Sequence, residues 1–512
     1  MLTLDRRKLF VWLVAGILLV SFVPSAMSAK AYAQSRITIN GAGATFPYPL
    51  IDTWRVEYQQ VNPDIDINYQ SIGSGGGVKQ FTEKTVDFGA SDAPLTESER
   101  NALSGAAMHI PETIGSVVVA YNIPGFEQKG LKLTGPIIAD IFSGKIDRWD
   151  DPAIKELNPD ASLPSQNIVV VHRSDGSGTT FVWTSYLSAV SQEWEGSVGA
   201  GKSVQWPTGI GAPGNEGVAS AVKSTPGSIG YVELAYSLTT GMNYGFIQNK
   251  EGNFIEPTLE STSAAVGTSA ARLPAGDESW QNVSILDAAG EESYPIASFS
   301  YLLLYKELKT NPQIDSMEKA KALLEFVNWA ITDGQQFADD LDYVPLPDEV
   351  IRLNQETLAS ITFNGQPVLT GIPQSFTVSS TLGDKSYTVT SRSQNAKLTS
   401  FTINPEQSVQ MKFVGSGEVE LTLPKEMIDG ITTVKAGNQQ IQHQQTSSSS
   451  SSTTIRFTVP EGTDSVDIQA AMVVPEFEVI ALLILAASIV AAIGITRVMA
   501  RQNKLAPQGA GL

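Results

Sequence analysis

The chain of 512 residues carries 34 basic against 53 acidic side chains, a formal charge of −19, with 17% charged and 42% hydrophobic residues. Such a balance belongs to folded globular material, and the length exceeds what one ordinary core serves. The acidity argues against a nucleic-acid partner, and the lack of cysteine excludes disulfides, thiolate nucleophiles, Cys-ligated metals and lipid attachment at a cysteine.

Residues 1–33 read as a secretory signal peptide. Arg6, Arg7 and Lys8 precede an apolar run from Leu9 to Val23 and then small residues, with Ala31-Tyr32-Ala33 the best cleavage site. Its removal takes away a net charge of about +3 and leaves about −22. Over residues 34–371 short β-rich runs such as Ser116–Ala120 and Ile168–Val171 alternate with helical patterns. Leu50, Trp54 and Tyr58 recur at i, i+4, as do Val182 and Tyr186, and Leu187 with Ser191. The alternation predicts an α/β layered fold in two lobes, with ligands gathered at the carboxyl ends of its strands.

Three small-residue turns in this region each precede a predicted helix. They are Gly41–Pro47, Gly73–Lys79 and Asp175–Thr179, the last leading into Thr180–Val190. Each offers free backbone N–H groups and a hydroxyl at a helix N-terminus, where the dipole attracts anions. With Arg173 just upstream of the third, they define a convergent oxyanion site. His109, His172 and His443 fall in no metal-ligand spacing, so neither a metal nor a cofactor is expected.

After about Gly371 the pattern turns to short alternating strands: Ser375–Ser380, Ser386–Thr390, Val409–Phe413, Glu418–Leu423 and Thr454–Val459. Residues 372–472 are therefore expected to form a separate all-β module, in which the Ser- and Gln-rich tract Gln439–Thr454 reads as a long surface loop. Val479–Thr496 is free of charge and, as a helix, spans about 27 Å, enough for a bilayer core. Glu476 and Glu478 precede it and Arg497, Arg501 and Lys504 follow, which predicts a transmembrane helix with residues 497–512 in the cytoplasm and the bulk of the chain outside. Pro475-Glu476-Phe477 ahead of this segment resembles the C-terminal sorting or anchoring signals of archaeal surface proteins.

The run Gly41–Pro47, the phrase Gln70–Gln80, Val86–Leu95 and Arg173–Phe181 together resemble the phosphate-binding proteins of ABC phosphate importers. Ile141–Trp149, Ser228–Glu233 and Leu341–Pro347 add to the likeness, in family order over about residues 36–350. The resemblance implies a periplasmic-binding-protein (Venus-flytrap) fold: lobe 1 at about 34–118 and 297–371, lobe 2 at about 119–296, with crossings near Ser116–Ala120 and Pro295–Ser298. It implies that Thr45, Phe46, Ser74, Ser177, Gly178 and Thr179 donate to bound inorganic phosphate, that Arg173 supplies the charge, held by Asp175, and that Asp92 accepts a proton from the ligand. The implied partner is an ABC phosphate permease, and the signal peptide and C-terminal segment predict a place at the outer face of the cell membrane.

Asp92 also admits a second reading, as a cap on the helix after the capping-box pattern Thr96–Glu99. A phosphatase-like enzyme using the same oxyanion site is the alternative function, but the sequence gives it little. Gly73–Gln80 is no Walker loop, Ser177 lacks a G-x-S-x-G frame, and His172 has no evident base–orienter set. A cell-surface structural protein is the third class, favoured by the anchor and the β module.

Overall fold

A computed structural model describes residues 36–267, 272–369, 374–379, 386–393, 396–404, 408–463 and 465–473. The expected signal peptide and the membrane segment Val479–Thr496, with its Pro-Glu-Phe flank, lie outside these residues. Among the described residues no helix is long and apolar enough to cross a membrane.

Eight of the nine strands in the main sheet of the first part of the chain form its path: β1 (Ile37–Gly43), β2 (Ile65–Ser71), β3 (Phe88–Ser91), β4 (Ala107–Asn122), β5 (Val169–Arg173), β6 (Ile210–Ala212), β7 (Ser228–Glu233) and β8 (Ala297–Tyr305). They lie in the order β2-β1-β3-β8-β4-β7-β5-β6. β1 runs parallel to β2 and β3, and β5 runs parallel to β6 and β7. β4 joins the two halves. Its residues 107–116 pair antiparallel with β8, and Val117–Asn122 pair antiparallel with β7, so the partner changes between Ser116 and Val117. Every residue of β4 but Asn122 is buried, which is why no period-2 alternation marks it in the sequence. Its register slips once. Ser300 faces Thr113 while Tyr301 faces Pro111, leaving Glu112 as an extra residue in a β-bulge.

Helices follow the parallel strands: α1 (Tyr48–Val61) after β1, α2 (Ser74–Glu83) after β2, α3 (Glu97–Ala102) after β3, α4 (Gly178–Val190) after β5 and α5 (Gly214–Ser224) after β6. α1 starts behind Pro47 and buries Leu50, Ile51, Trp54 and Tyr58 on one face, as the i, i+4 pattern requires. α2 packs its backbone directly on β1, since a Cβ on Gly77 would stand 2.4 Å from the Gly43 Cα. Thr96 and Glu99 form the capping box of α3. Ser191 departs from the expected pattern: it ends α4 and caps the next turn by accepting from Trp194 N, the usual preference of a serine hydroxyl. Because each helix begins where a parallel strand ends, the three small-residue turns meet at one edge of the sheets.

Among the described residues beyond 373, ten strands form two five-stranded antiparallel sheets. β9 (Gln374–Ser379), β10 (Ser386–Ser393), β13 (Gly417–Pro424), β17 (Ser452–Val459) and β16 (His443–Ser448) make one, in that order. β11 (Lys397–Asn404), β12 (Ser408–Val414), β18 (Ser465–Val473), β14 (Ile428–Ala436) and β15 (Gln439–Ile441) make the other. Val389, Leu421 and Ile455 of the first meet Met411, Val434 and Ile468 of the second in a core of their own, a β-sandwich. The Ser- and Gln-rich tract, expected as a loop, contributes β15, β16 and the start of β17. It survives as an exposed edge strand because ladder hydrogen bonds to Thr453–Phe457 need no apolar side chains.

Candidate functional site

The turn after β1 enters from the first half of the sheet. Thr45 and Phe46 are buried there, and their carbonyls accept hydrogen bonds from the phenols of Tyr236 and Tyr343, both at 2.6 Å. The turn after β2 places Gly73 at φ +83° as the residue before α2, and a Cβ on it would meet Asp175 Oδ2 at 2.2 Å. Gly75 N donates to Gly176 O at 2.8 Å, so the second and third small-residue turns touch across the cleft. Lys202 Nζ with Glu99 Oε1 at 2.5 Å and Ser71 Oγ with Glu216 Oε1 at 3.2 Å bridge the same gap.

Arg173 ends β5 with its side chain only 1% exposed. Nε donates to Asp175 Oδ1 at 2.8 Å and Nη2 to Oδ2 at 2.5 Å, a bidentate pair, while Nη1 reaches Thr179 Oγ1 at 3.3 Å. One N–H on each Nη remains for a ligand. Burial works against the Asp175 charge, yet the Arg173 fork and Gly214 N hold its carboxyl below the usual range. Lys79, the other basic residue of these turns, is exposed and pairs with Glu83 on its own helix.

Asn215, at the start of α5, was not legible as a site residue. Its Nδ2 donates to Thr45 Oγ1 at 2.7 Å and to Thr179 Oγ1 at 3.1 Å, and its backbone N donates to Thr45 Oγ1 at 3.2 Å. The lone pairs of both hydroxyls are thus occupied, by Asn215 alone at Thr45 and by Asn215 with Arg173 at Thr179. Each threonine keeps only its proton to offer, so both are fixed as donors. Gly211–Gly214 ahead of α5 is a fourth small-residue turn before a helix, the one signal that pointed to it. Ser177 caps α4 by accepting from Thr180 N at 2.9 Å and likewise retains its proton.

Asp92 follows β3 and is 1% exposed. Ser300 Oγ lies 2.9 Å from Oδ1 and Ser74 Oγ 3.5 Å from Oδ2, and Asp92 N donates to Ser74 Oγ at 3.2 Å. Burial raises its carboxyl to about 7, against the pull of Ser300, Arg173, Ser74 and the Thr179 N–H. α3 is capped by Thr96, so Asp92 is not its cap. Gly178 comes close enough that a Cβ would sit 2.5 Å from Asp92 Oδ2 and 2.4 Å from Ser74 Oγ. Gly178→Ala is therefore expected to push Asp92 aside, costing about 1–3 kcal/mol in overpacking. Thermal melts should show that loss together with weaker anion binding, whereas an alanine accepted without either effect would show that the cleft has room there.

Thr45, Ser74, Asp92, Arg173, Asp175, Gly178 and Thr179 are thus connected by direct contacts or through Asn215, with Phe46 and Ser177 on the adjoining turns. The arrangement gathers hydroxyl and N–H donors and one guanidinium around the buried carboxyl of Asp92. Two lobes sharing a strand, with such donors on both sides of the cleft, define a solute receptor for an oxyanion.

The PBP superfamily domain matches residues 28–333. The phosphate-binding protein PstS of Pasteurella multocida is 47% identical over 315 residues, 62% of this chain and 88% of that protein. PstS of Xylella fastidiosa (strain 9a5c) is 45% identical over 335 residues, 64% of this chain and 85% of its own length. The X-ray structure of a human phosphate binding apolipoprotein superposes with a TM-score of 0.51 at 19% identity, over 64% of this chain and 99% of that one, and shows the fold. The chain belongs to the PstS family of phosphate-binding proteins within the PBP superfamily.

Proposed function

We propose that this protein captures inorganic phosphate in the cleft between its lobes and delivers it to an ABC phosphate permease. The single observation that carries this reading is a buried carboxyl, Asp92, set among donors that otherwise suit any oxyanion. A carboxylate there repels a fully deprotonated anion and accepts a hydrogen bond from a protonated one. Thr45, Ser74, Ser177 and Thr179 supply hydroxyls, Phe46 and Gly178 supply backbone N–H groups, and Arg173 supplies charge, with Asp175 and Asn215 holding it and the threonines in place.

The site works as a receptor and not as an enzyme. Ser177 is engaged as a helix cap, and His172 stacks on Trp206 with its Nδ1 against the Arg173 carbonyl, so the two do not pair as nucleophile and base. Residues 34–371 form the receptor proper and 372–472 the sandwich, exported behind the signal peptide and tethered by Val479–Thr496 at the outer face of the membrane. A chain ending near Ala471 is expected to be released in soluble form and to bind phosphate in preference to sulfate by calorimetric titration. Persistent membrane attachment sinks the tether, and equal binding of the two anions sinks the phosphate reading.

A further inference from the structure

The bulge in β4 takes Glu112 out of the ladder and sets its carboxyl against β8. Ser300 Oγ stands 3.0 Å from Glu112 Oε1 and 2.9 Å from Asp92 Oδ1. Glu112, Ser300 and Asp92 are all fully or almost fully buried. A hydroxyl has one proton to donate. It serves one carboxylate, and the other group must bring its own proton to the shared oxygen. The neighbours decide which. Asp92 also has Ser74 and the field of Arg173, whereas Glu112 Oε2 has no hydrogen-bond partner among the described residues. Negative charge is less costly on Asp92, so Glu112 keeps the proton and donates to Ser300, and Ser300 donates to Asp92.

Given phosphate as the ligand, we propose that Glu112 is a positioning residue for anion selection: its proton orients Ser300 toward Asp92 and keeps Asp92 an acceptor for the bound anion. Burial raises both carboxyls, Glu112 farther, to about 8, and the negative Asp92 nearby adds to the rise. The other groups around the pair do not titrate with it. Arg173 faces Asp92 with its guanidinium, and burial keeps the phenols of Tyr69 on β2, Tyr301 on β8 and Tyr343 neutral. A cavity of about 160 Å³ between α4, the 281–286 segment and β8 is lined in part by Asp92.

Above the pH at which Glu112 loses its proton, one hydroxyl faces two carboxylates and the bound anion faces doubled negative charge. Phosphate affinity of the full-length protein is therefore expected to fall on the alkaline side. In Glu112→Gln the amide N–H donates to Ser300 at every pH. This variant should keep neutral-pH affinity within about threefold and lose the alkaline decline between about pH 7 and pH 9. Ser300→Ala removes a donor from Asp92, so Asp92 stays protonated to higher pH and sulfate should compete better near neutrality, by about fivefold. Ionisation of phosphate itself is common to all three proteins and cancels in the comparison. Superimposable pH profiles for wild type and Glu112→Gln overturn the relay, and should Glu112→Gln fail to fold by circular dichroism, wild-type selectivity in Ser300→Ala overturns it. Either result leaves phosphate as the ligand, a reading that falls only if the wild-type protein binds phosphate no better than sulfate.

Discussion

Arg173→Ala is expected to weaken phosphate binding by roughly 30- to 5,000-fold, the equivalent of about 2–5 kcal/mol for truncating one partner of a buried charge pair. Two losses combine. The anion forfeits a desolvated guanidinium, and Asp175 forfeits both bonds of its fork, keeping Gly214 N as a donor. An unpaired Asp175 then adds repulsion beside the ligand. Arg173→Lys restores the charge without the fork, since an ammonium cannot hold Asp175 bidentately and present further N–H groups at once. Its affinity should fall between the two. Isothermal titration of both variants at one ionic strength checks the order, and near-native binding by the alanine variant would move the site away from β5.

The second large effect concerns discrimination. Phosphate near neutral pH carries a proton in both its common forms, whereas sulfate carries none. The threonine hydroxyls, the backbone N–H groups and Arg173 serve either anion, so they cannot separate the two. In the proposed site Asp92 can, because its carboxylate would meet sulfate with an unmatched buried repulsion. Asp92→Asn should keep the shape of the cleft and let an amide N–H donate to either ligand. The phosphate-to-sulfate affinity ratio is expected to drop by about 5- to 150-fold, the equivalent of about 1–3 kcal/mol for one unmatched buried group. Competition between the anions in wild type and variant decides it. An unchanged ratio would assign selectivity elsewhere.

Much of the receptor was legible because its chemistry is local. Strand ends that feed helix N-termini need glycine for close approach and small hydroxyl residues for donors. Gly73, Ser74, Ser177, Gly178 and Thr179 stand in short runs that announce this. The reading of Asp92 as a helix cap fails because Thr96 caps α3. What escaped was whatever tertiary structure brings from afar. Asn215, Ser300 and Tyr343 reach the cleft from three separate segments. Glu112 hides in a strand buried on both faces, where a single residue gives no warning of a bulge. The Ser- and Gln-rich tract misled for the opposite reason: composition speaks of exposure, and an edge strand can be exposed and still hydrogen-bonded.

The bridging by Asn215 has a kinetic consequence. It sits beyond β6 with Thr179, while Thr45 lies on the opposite side of the cleft, so the hydroxyl of Thr45 acquires its fixed direction only as the lobes come together. An open receptor meets incoming anions with the Thr45 hydroxyl unaligned and a general attraction to Arg173. Phosphate and sulfate should therefore arrive at similar rates, and the preference should reside in dwell time: the protonated anion is retained by closure, and the other departs before the cleft has finished assembling around it.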